Sequence, residues 1–317
     1  MKELALLPVI PIVAPPPGCG LDGVIVGVCA ADLYLAKACC ASVRRFMGDI
    51  PITLLADGRV NTSALESVFG AKRLAVADAA PAELVDIGRG TALPKLSVFW
   101  ASPYERFLFL DADTLVWGDV RIHAALDRFD YVAAHQVPTP GLIPTEKAAT
   151  ESVFDVAALR RFDDNLQFLN RPFLVTGVFM ARRGVFSQER VMEIVRQRWF
   201  KASDQGVINY LFLRSLQDGK PSMGGASFQV IPDDGGILEP ARVLPKGWNQ
   251  PVVFHWMGKK PKFGRPAGMV DDFRREFLRC SGRRHGLQLS LRGEELAVLF
   301  RQHWTSVRKR LLVVGDR

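Results

Sequence analysis

Apolar residues in this chain fall into short unbroken runs, separated by longer stretches in which they recur every three or four positions. Positions 24–29, 51–56 and 107–110 are runs with almost no polar alternation, the pattern of strands covered on both faces. Shorter runs at 72–76, 131–134, 228–231 and 252–255 predict further strands, and 173–180 reads as a strand interrupted by Gly177. A glycine there predicts close approach of backbone or ligand. Between them, 33–47 has helical spacing, with Arg44 and Arg45 in its last turn and Gly48 just beyond. Ser63 and Glu66 form an S-x-x-E capping box for a short helix ending near Gly70. Helical patterns also cover 93–100, part of 116–130, 153–168, 187–199 and a stretch opened by Ser203-Asp204-Gln205. The alternation of strand and helix over 24–76 predicts an α/β fold with a parallel sheet and crossover helices.

The length, 317 residues, suits one large domain or two close-packed halves. A composition of 48% hydrophobic and 23% charged residues is that of a globular protein. The balance is basic, 41 Lys+Arg against 33 Asp+Glu, which favours an anionic partner: a nucleotide, an anionic membrane surface or nucleic acid. Five cysteines without C-x-x-C or metal spacing fit buried thiols in a reducing, cytoplasmic setting. The apolar stretch 4–13 is broken by Pro8 and Pro11 and is too short to span a bilayer, and it lacks the features of a signal peptide. It reads as a lead-in over 1–21.

The chemistry concentrates at the end of the 107–110 run. Asp111 and Asp113 follow it two residues apart, a spacing that turns both side chains to one side of an extended chain. Two anions that close raise each other's pKa unless a cation neutralises them, and a hard divalent ion with oxygen ligands suits the need. The carboxyl end of a sheet strand is where open α/β sheets bind ligands. A bare D-x-D is more often a solvated turn with two capping aspartates, so its neighbours decide. Lys95 is positioned by the 93–100 pattern to stand beside this strand, and His255 ends another strand ahead of Gly258, Lys259 and Lys260. An imidazole and lysines there can supply a nitrogen ligand and phosphate-facing cations. Neither G-x-G-x-x-G nor G-x-x-x-x-G-K-[ST] occurs, which removes support for a dinucleotide-binding or P-loop assignment.

Taken in order, Ala31-Asp32-Leu33-Tyr34, Lys95-Leu96 with Trp100, Tyr104 through Asp111-Ala112-Asp113, Thr176-Gly177, Asp204-Gln205-Gly206 with Asn209, and His255-x-x-Gly258 with Lys260-Pro261 resemble glycosyltransferase family 8. That family holds glycogenin and the bacterial lipopolysaccharide glucosyl- and galactosyltransferases. The resemblance implies a GT-A fold, a mixed, mostly parallel central sheet flanked by helices. It implies a transferase domain over 22–262, with a nucleotide-binding half at 22–135 and an acceptor half at 136–262. It also implies a retaining enzyme that moves a hexose from a UDP-sugar to form an α-glycosidic bond, with Mn²⁺ or Mg²⁺ as cofactor. By the same resemblance Asp111, Asp113 and His255 are the metal ligands. Ala31, Asp32, Tyr34, Lys95, Ala112, Gly258 and Lys260 line the donor, with Tyr34 stacking on uracil. Asp204 and Gln205 lie beneath the transferred sugar as the catalytic pair. The chain departs from the family pattern at Val175, where an Asn is usual, and in Gly258-Lys259-Lys260-Pro261, one residue shorter than usual. The acceptor (a glycan, a lipid-linked sugar, a small molecule or a protein) is not specified.

From Arg265 onward, twelve Lys/Arg face six Asp/Glu, with Phe273, Phe277, Leu296, Leu299, Phe300 and Trp304 interleaved. This basic tail, 263–317, has two readings: an amphipathic helix on an anionic membrane surface, or an appendage packed on the domain with a solvated basic face. No nucleic-acid-binding module is present in the pattern. Two other functions share some of the features. A sugar-1-phosphate nucleotidyltransferase would carry a Gly-rich loop after the first strand, where this chain has Val28-Cys29-Ala30-Ala31-Asp32. A non-catalytic nucleotide-sugar binder would keep Tyr34, Asp111, Asp113 and His255 without turnover.

Overall fold

The computed structural model describes residues 20–137, 141–199, 204–232, 240–257, 260 and 268–281. Among these, nine strands form one sheet: β1 (Gly23–Cys29), β2 (Ile52–Asp57), β3 (Lys72–Ala75), β4 (Arg106–Asp111), β5 (Thr114–Trp117), β6 (Tyr131–Gln136), β7 (Val178–Arg182), β8 (Met223–Val230) and β9 (Val252–His255). Their order across the sheet is β3-β2-β1-β4-β7-β6-β8-β9-β5. The first four are mutually parallel, as the strand–helix alternation predicts. β6, β8 and β9 are parallel to one another, while β7 and β5 run antiparallel to their neighbours.

The alternating faces of β4 explain the two-sided core. Leu108 and Leu110 join one apolar cluster, packed with the helix Leu33–Met47, and Phe107 and Phe109 join the other. All four are fully buried, as the unbroken apolar run requires. On the second face the Phe179 ring on β7 stacks on Phe109 at 5.0 Å and on Tyr131 at 5.3 Å. Such rings lock β4, β7 and β6 side by side, with Asp111 ending β4 and Gly177 immediately preceding β7.

Several local expectations change. Thr62, not Ser63, takes the N-cap position of the helix Ser63–Phe69, because the Asn61 side chain already accepts from the Ser63 backbone N–H at 3.1 Å. No α-helix forms within 116–130: Thr114–Trp117 is drawn into the sheet against β9, and the Asp119 carboxylate then caps a 3₁₀ turn at Val120–His123. The helix expected over 153–168 is shorter, Val156–Phe162, because the Asp155 side chain caps its start, and a further helix, Glu146–Ser152, precedes it. Residues 173–177 are not strand, because the carboxamide of Asn209 takes the backbone N–H and C=O of Leu174 at 2.8 and 2.9 Å. The polar run after 218 hides a longer strand than expected, Met223–Val230.

The described part of the basic tail is the helix Met269–Ser281. Phe273 and Phe277 are buried against the helix Leu33–Met47, with the Lys37 ammonium 5.6 Å from the Phe277 ring and Arg45 paired with Glu276 at 3.4 Å. Its apolar stripe is therefore turned to the domain, which favours the packed-appendage reading for this segment. Leu296, Leu299, Phe300 and Trp304 lie outside the described residues. Among the described residues no helix is long and apolar enough to cross a membrane.

Candidate active site

Asp111 is the last residue of β4, and its backbone N–H donates to the Gly177 carbonyl at 2.8 Å. The chain then turns through Ala112, so Asp113 reaches the same side by a turn and not by continued extended chain. That turn is pinned from three directions. The Trp256 N–H donates to the Asp113 carbonyl at 3.0 Å, the Thr114 hydroxyl to the Asp111 carbonyl at 2.8 Å, and Cys39 Sγ lies 3.4 Å from the Thr114 hydroxyl. His255 closes β9 opposite Thr114. Its Nε2 stands 3.5 Å from Asp113 Oδ1 and 4.0 Å from Asp111 Oδ2. One ligand atom from each of the three residues lies within 4.8 Å of the others.

These distances fit a divalent cation. Hard ions take carboxylate oxygens, and a neutral imidazole offers a nitrogen ligand to a divalent metal. Gly177 keeps the space open: a Cβ there would lie 2.2 Å from His255 Cε1 and 2.8 Å from Asp111 Oδ2. The interruption seen in the sequence is thus a close approach between the backbone and the side chains of His255 and Asp111.

Two lysines, buried Lys95 and exposed Lys260, tie this trio to further carboxylates. Lys95, on the turn Leu93–Ser97, bridges Asp111 at 3.2 Å and Asp204 at 2.7 Å. Asp204 opens the helix Asp204–Asp218 and also accepts a short hydrogen bond from the Thr176 hydroxyl. Lys260 bridges Asp32 at 2.7 Å and Asp113 at 3.2 Å. The electrostatics follow from these contacts. Burial drives the Asp113 carboxyl upward, but His255 and Lys260 outweigh it and hold it down at about 2. Burial wins at Asp111, whose carboxyl is raised despite Lys95. Burial works against the charged form of Lys95, yet Asp111 and Asp204 together raise its pKa. Lys260 is raised in the same way by Asp113 and Asp32.

The structure therefore brings together Asp32, Lys95, Asp111, Asp113, Asp204, His255 and Lys260. Gln205 is half-buried next to Asp204, and its backbone carbonyl accepts from Asn209 Nδ2 at 2.8 Å. Ala112 is buried in the turn and Ala31 exposed in the loop after β1. Tyr34 is only 6% exposed and belongs to the apolar cluster around the helix Leu33–Met47. Gly258 lies outside the described residues. Sequence reasoning missed Gln229, whose side-chain nitrogen is 3.1 Å from His255 Nδ1. Its signal was a polar residue in the middle of the apolar run 228–231.

No family model matches the chain, and no curated protein matches it. Solved structures do. A galactosyltransferase, LgtC, in complex with donor and acceptor sugar analogues aligns with a TM-score of 0.54 at 14% identity, over 86% of this chain and 99% of that one. The Q189E active-site mutant of LgtC aligns at 0.52 and 15% identity, over 82% and 95%. The apo bifunctional glycosyltransferase WbbM aligns at 0.52 and 14% identity, covering 86% of this chain and 53% of its own. The chain has the fold of these glycosyltransferases, the GT-A architecture that the family resemblance implies.

Proposed function

We propose that this protein is a metal-dependent retaining glycosyltransferase that moves a hexose from a UDP-sugar to an acceptor and forms an α-glycosidic bond. The observation that carries the reading is the continuous array Asp113–His255–Asp111–Lys95–Asp204 at the strand ends of this fold. LgtC, which shares the fold, is a galactosyltransferase crystallised with donor and acceptor sugar analogues. In this reading the transferase unit spans 22–262.

Asp111, Asp113 and His255 would hold Mn²⁺ or Mg²⁺, which supplies charge neutralisation for a departing diphosphate. The chain's own residues account for the rest. Lys260, now spread over Asp32 and Asp113, is placed to turn to a phosphate oxygen once a cation neutralises those carboxylates. Lys95 keeps one bond to Asp111 and one to Asp204, linking the phosphate end of the site to the sugar end. Asp204 and Gln205 face the transferred sugar, where a carboxylate or amide oxygen stabilises positive charge developing at the anomeric carbon. The Thr176 hydroxyl and the Lys95 ammonium orient the Asp204 carboxylate for that task. Asp32 and Tyr34 belong to the nucleoside side, and stacking on uracil requires the Tyr34 ring to be uncovered.

The test is nucleotide release from a panel of UDP- and GDP-sugars, with and without Mn²⁺, for the unaltered protein and Asp113→Ala. Metal-dependent UDP release from one sugar, abolished in the variant, is the expected result. Intact Mn²⁺–UDP binding without release, acceptors included, would point to a nucleotide-sugar binder. Absence of any binding would refute the reading.

A further inference from the structure

Gln229 is fully buried on β8, in register with Val253 and so on the same side of the sheet as His255 two residues later. Its amide nitrogen lies 3.1 Å from His255 Nδ1, while its Oε1 is buried with no hydrogen-bond partner among the described residues. With the nitrogen toward the ring, Gln229 donates to Nδ1. A neutral imidazole in that arrangement carries its proton on Nε2, the atom aimed at Asp113 and Asp111. A metal ion takes the lone pair of that same atom, so its proton must move to Nδ1. A protonated Nδ1 needs an acceptor, and the Gln229 oxygen, reached by a half-turn of the carboxamide, fits the same heavy-atom outline. The half-turn also gives the unpartnered oxygen its hydrogen bond.

Resting on the metal reading above, we infer that Gln229 is a positioning residue that selects the metal-binding tautomer of His255 by turning its carboxamide. In the resting site it donates to Nδ1; in the loaded site it accepts from Nδ1–H. The residue acts only through the imidazole. An acceptor at this position determines whether Nε2 presents a lone pair or a proton to the cation.

The experiment is Mn²⁺ titration of the full chain in the presence of UDP, followed by electron paramagnetic resonance, for the unaltered protein, Gln229→Glu, Gln229→Met and Asp113→Ala. Losing the partner of a ligating histidine weakens metal binding by about 10–100-fold, so Gln229→Met should show that loss. Gln229→Glu, which can only accept at Nδ1, should bind at least as tightly as the unaltered protein. Thermal melting of each variant separates loss of fold from loss of metal. A second measurement needs no variant: ¹⁵N spectra of histidine-labelled protein loaded with Mg²⁺ and UDP should place the His255 proton on Nδ1. Unchanged affinity in a folded Gln229→Met, or a proton on Nε2 in the loaded protein, overturns the inference while leaving the metal site standing. No Mn²⁺ binding by the unaltered protein brings down the metal reading, and the inference with it.

Discussion

Replacing Gly177 by alanine adds one methyl group at the point where three parts of the site meet. The new carbon would sit 2.2 Å from His255 Cε1, 2.6 Å from its Nε2 and 2.8 Å from Asp111 Oδ2. Ordinary contact begins near 3.4 Å, so the imidazole must retreat by about 1 Å. It has little room to do so, because β9 carries its backbone and Gln229 holds Nδ1. Overpacking of this kind costs about 1–3 kcal/mol of stability, a tolerable loss for a protein this size. Metal binding should suffer far more, since ligand distances tolerate only about ±0.2 Å. Displacing a direct ligand should cost at least the roughly 100-fold that marks the upper end for its supporting partners, or about 3 kcal/mol. Gly177→Ala should therefore melt within several degrees of the unaltered protein yet bind Mn²⁺–UDP at least about 100-fold more weakly by titration calorimetry. Equal Mn²⁺ affinity in a folded Gly177→Ala would show that the Asp111–Asp113–His255 trio is not the metal site.

Two further outcomes follow from buried charge. Lys95→Met leaves the Asp111 and Asp204 carboxylates without their shared cation, so it should destabilise the chain by about 3–5 kcal/mol in urea unfolding. Adding Asp204→Asn should recover more than about 1 kcal/mol of that loss, and strict additivity of the two substitutions would contradict the pairing. His135 is buried on β6 with neither ring nitrogen hydrogen-bonded among the described residues, and burial pushes its pKa down from 6.5 to about 4. The unfolded chain therefore binds a proton that the folded chain refuses. Stability should be fully present above pH 6.5 and fall by about 3 kcal/mol as pH drops from 6.5 to 4. His135→Phe should remove that portion of the acid limb from a pH series of denaturant melts, and superimposable limbs would exclude it.

The unbroken apolar run ending in Asp111 and Asp113 determined by itself that a doubly covered strand delivers two carboxylates at its carboxyl end, because burial on both faces leaves no polar alternation. Local spacing likewise determined the first three strands, the helix Leu33–Met47 with its glycine stop, and the interruption at Gly177. Short-range signals erred where a distant residue competed for the backbone. Asn209 removed 173–177 from the sheet, and β9 drew 114–117 into it. Only the tertiary structure decided who pairs with whom in the site. Lys95 lies 109 positions before Asp204, and Asp32 lies 228 before Lys260, separations across which sequence pattern carries no geometric information. The tail followed the same logic. Its charge and apolar spacing suit a membrane or a protein surface equally, and only contact with the helix Leu33–Met47 shows where the apolar stripe of Met269–Ser281 is turned. Gln229 shows the limit most clearly: the sequence displays one polar residue within a strand, while its meaning depends on the ring nitrogen that strand pairing places 3.1 Å away.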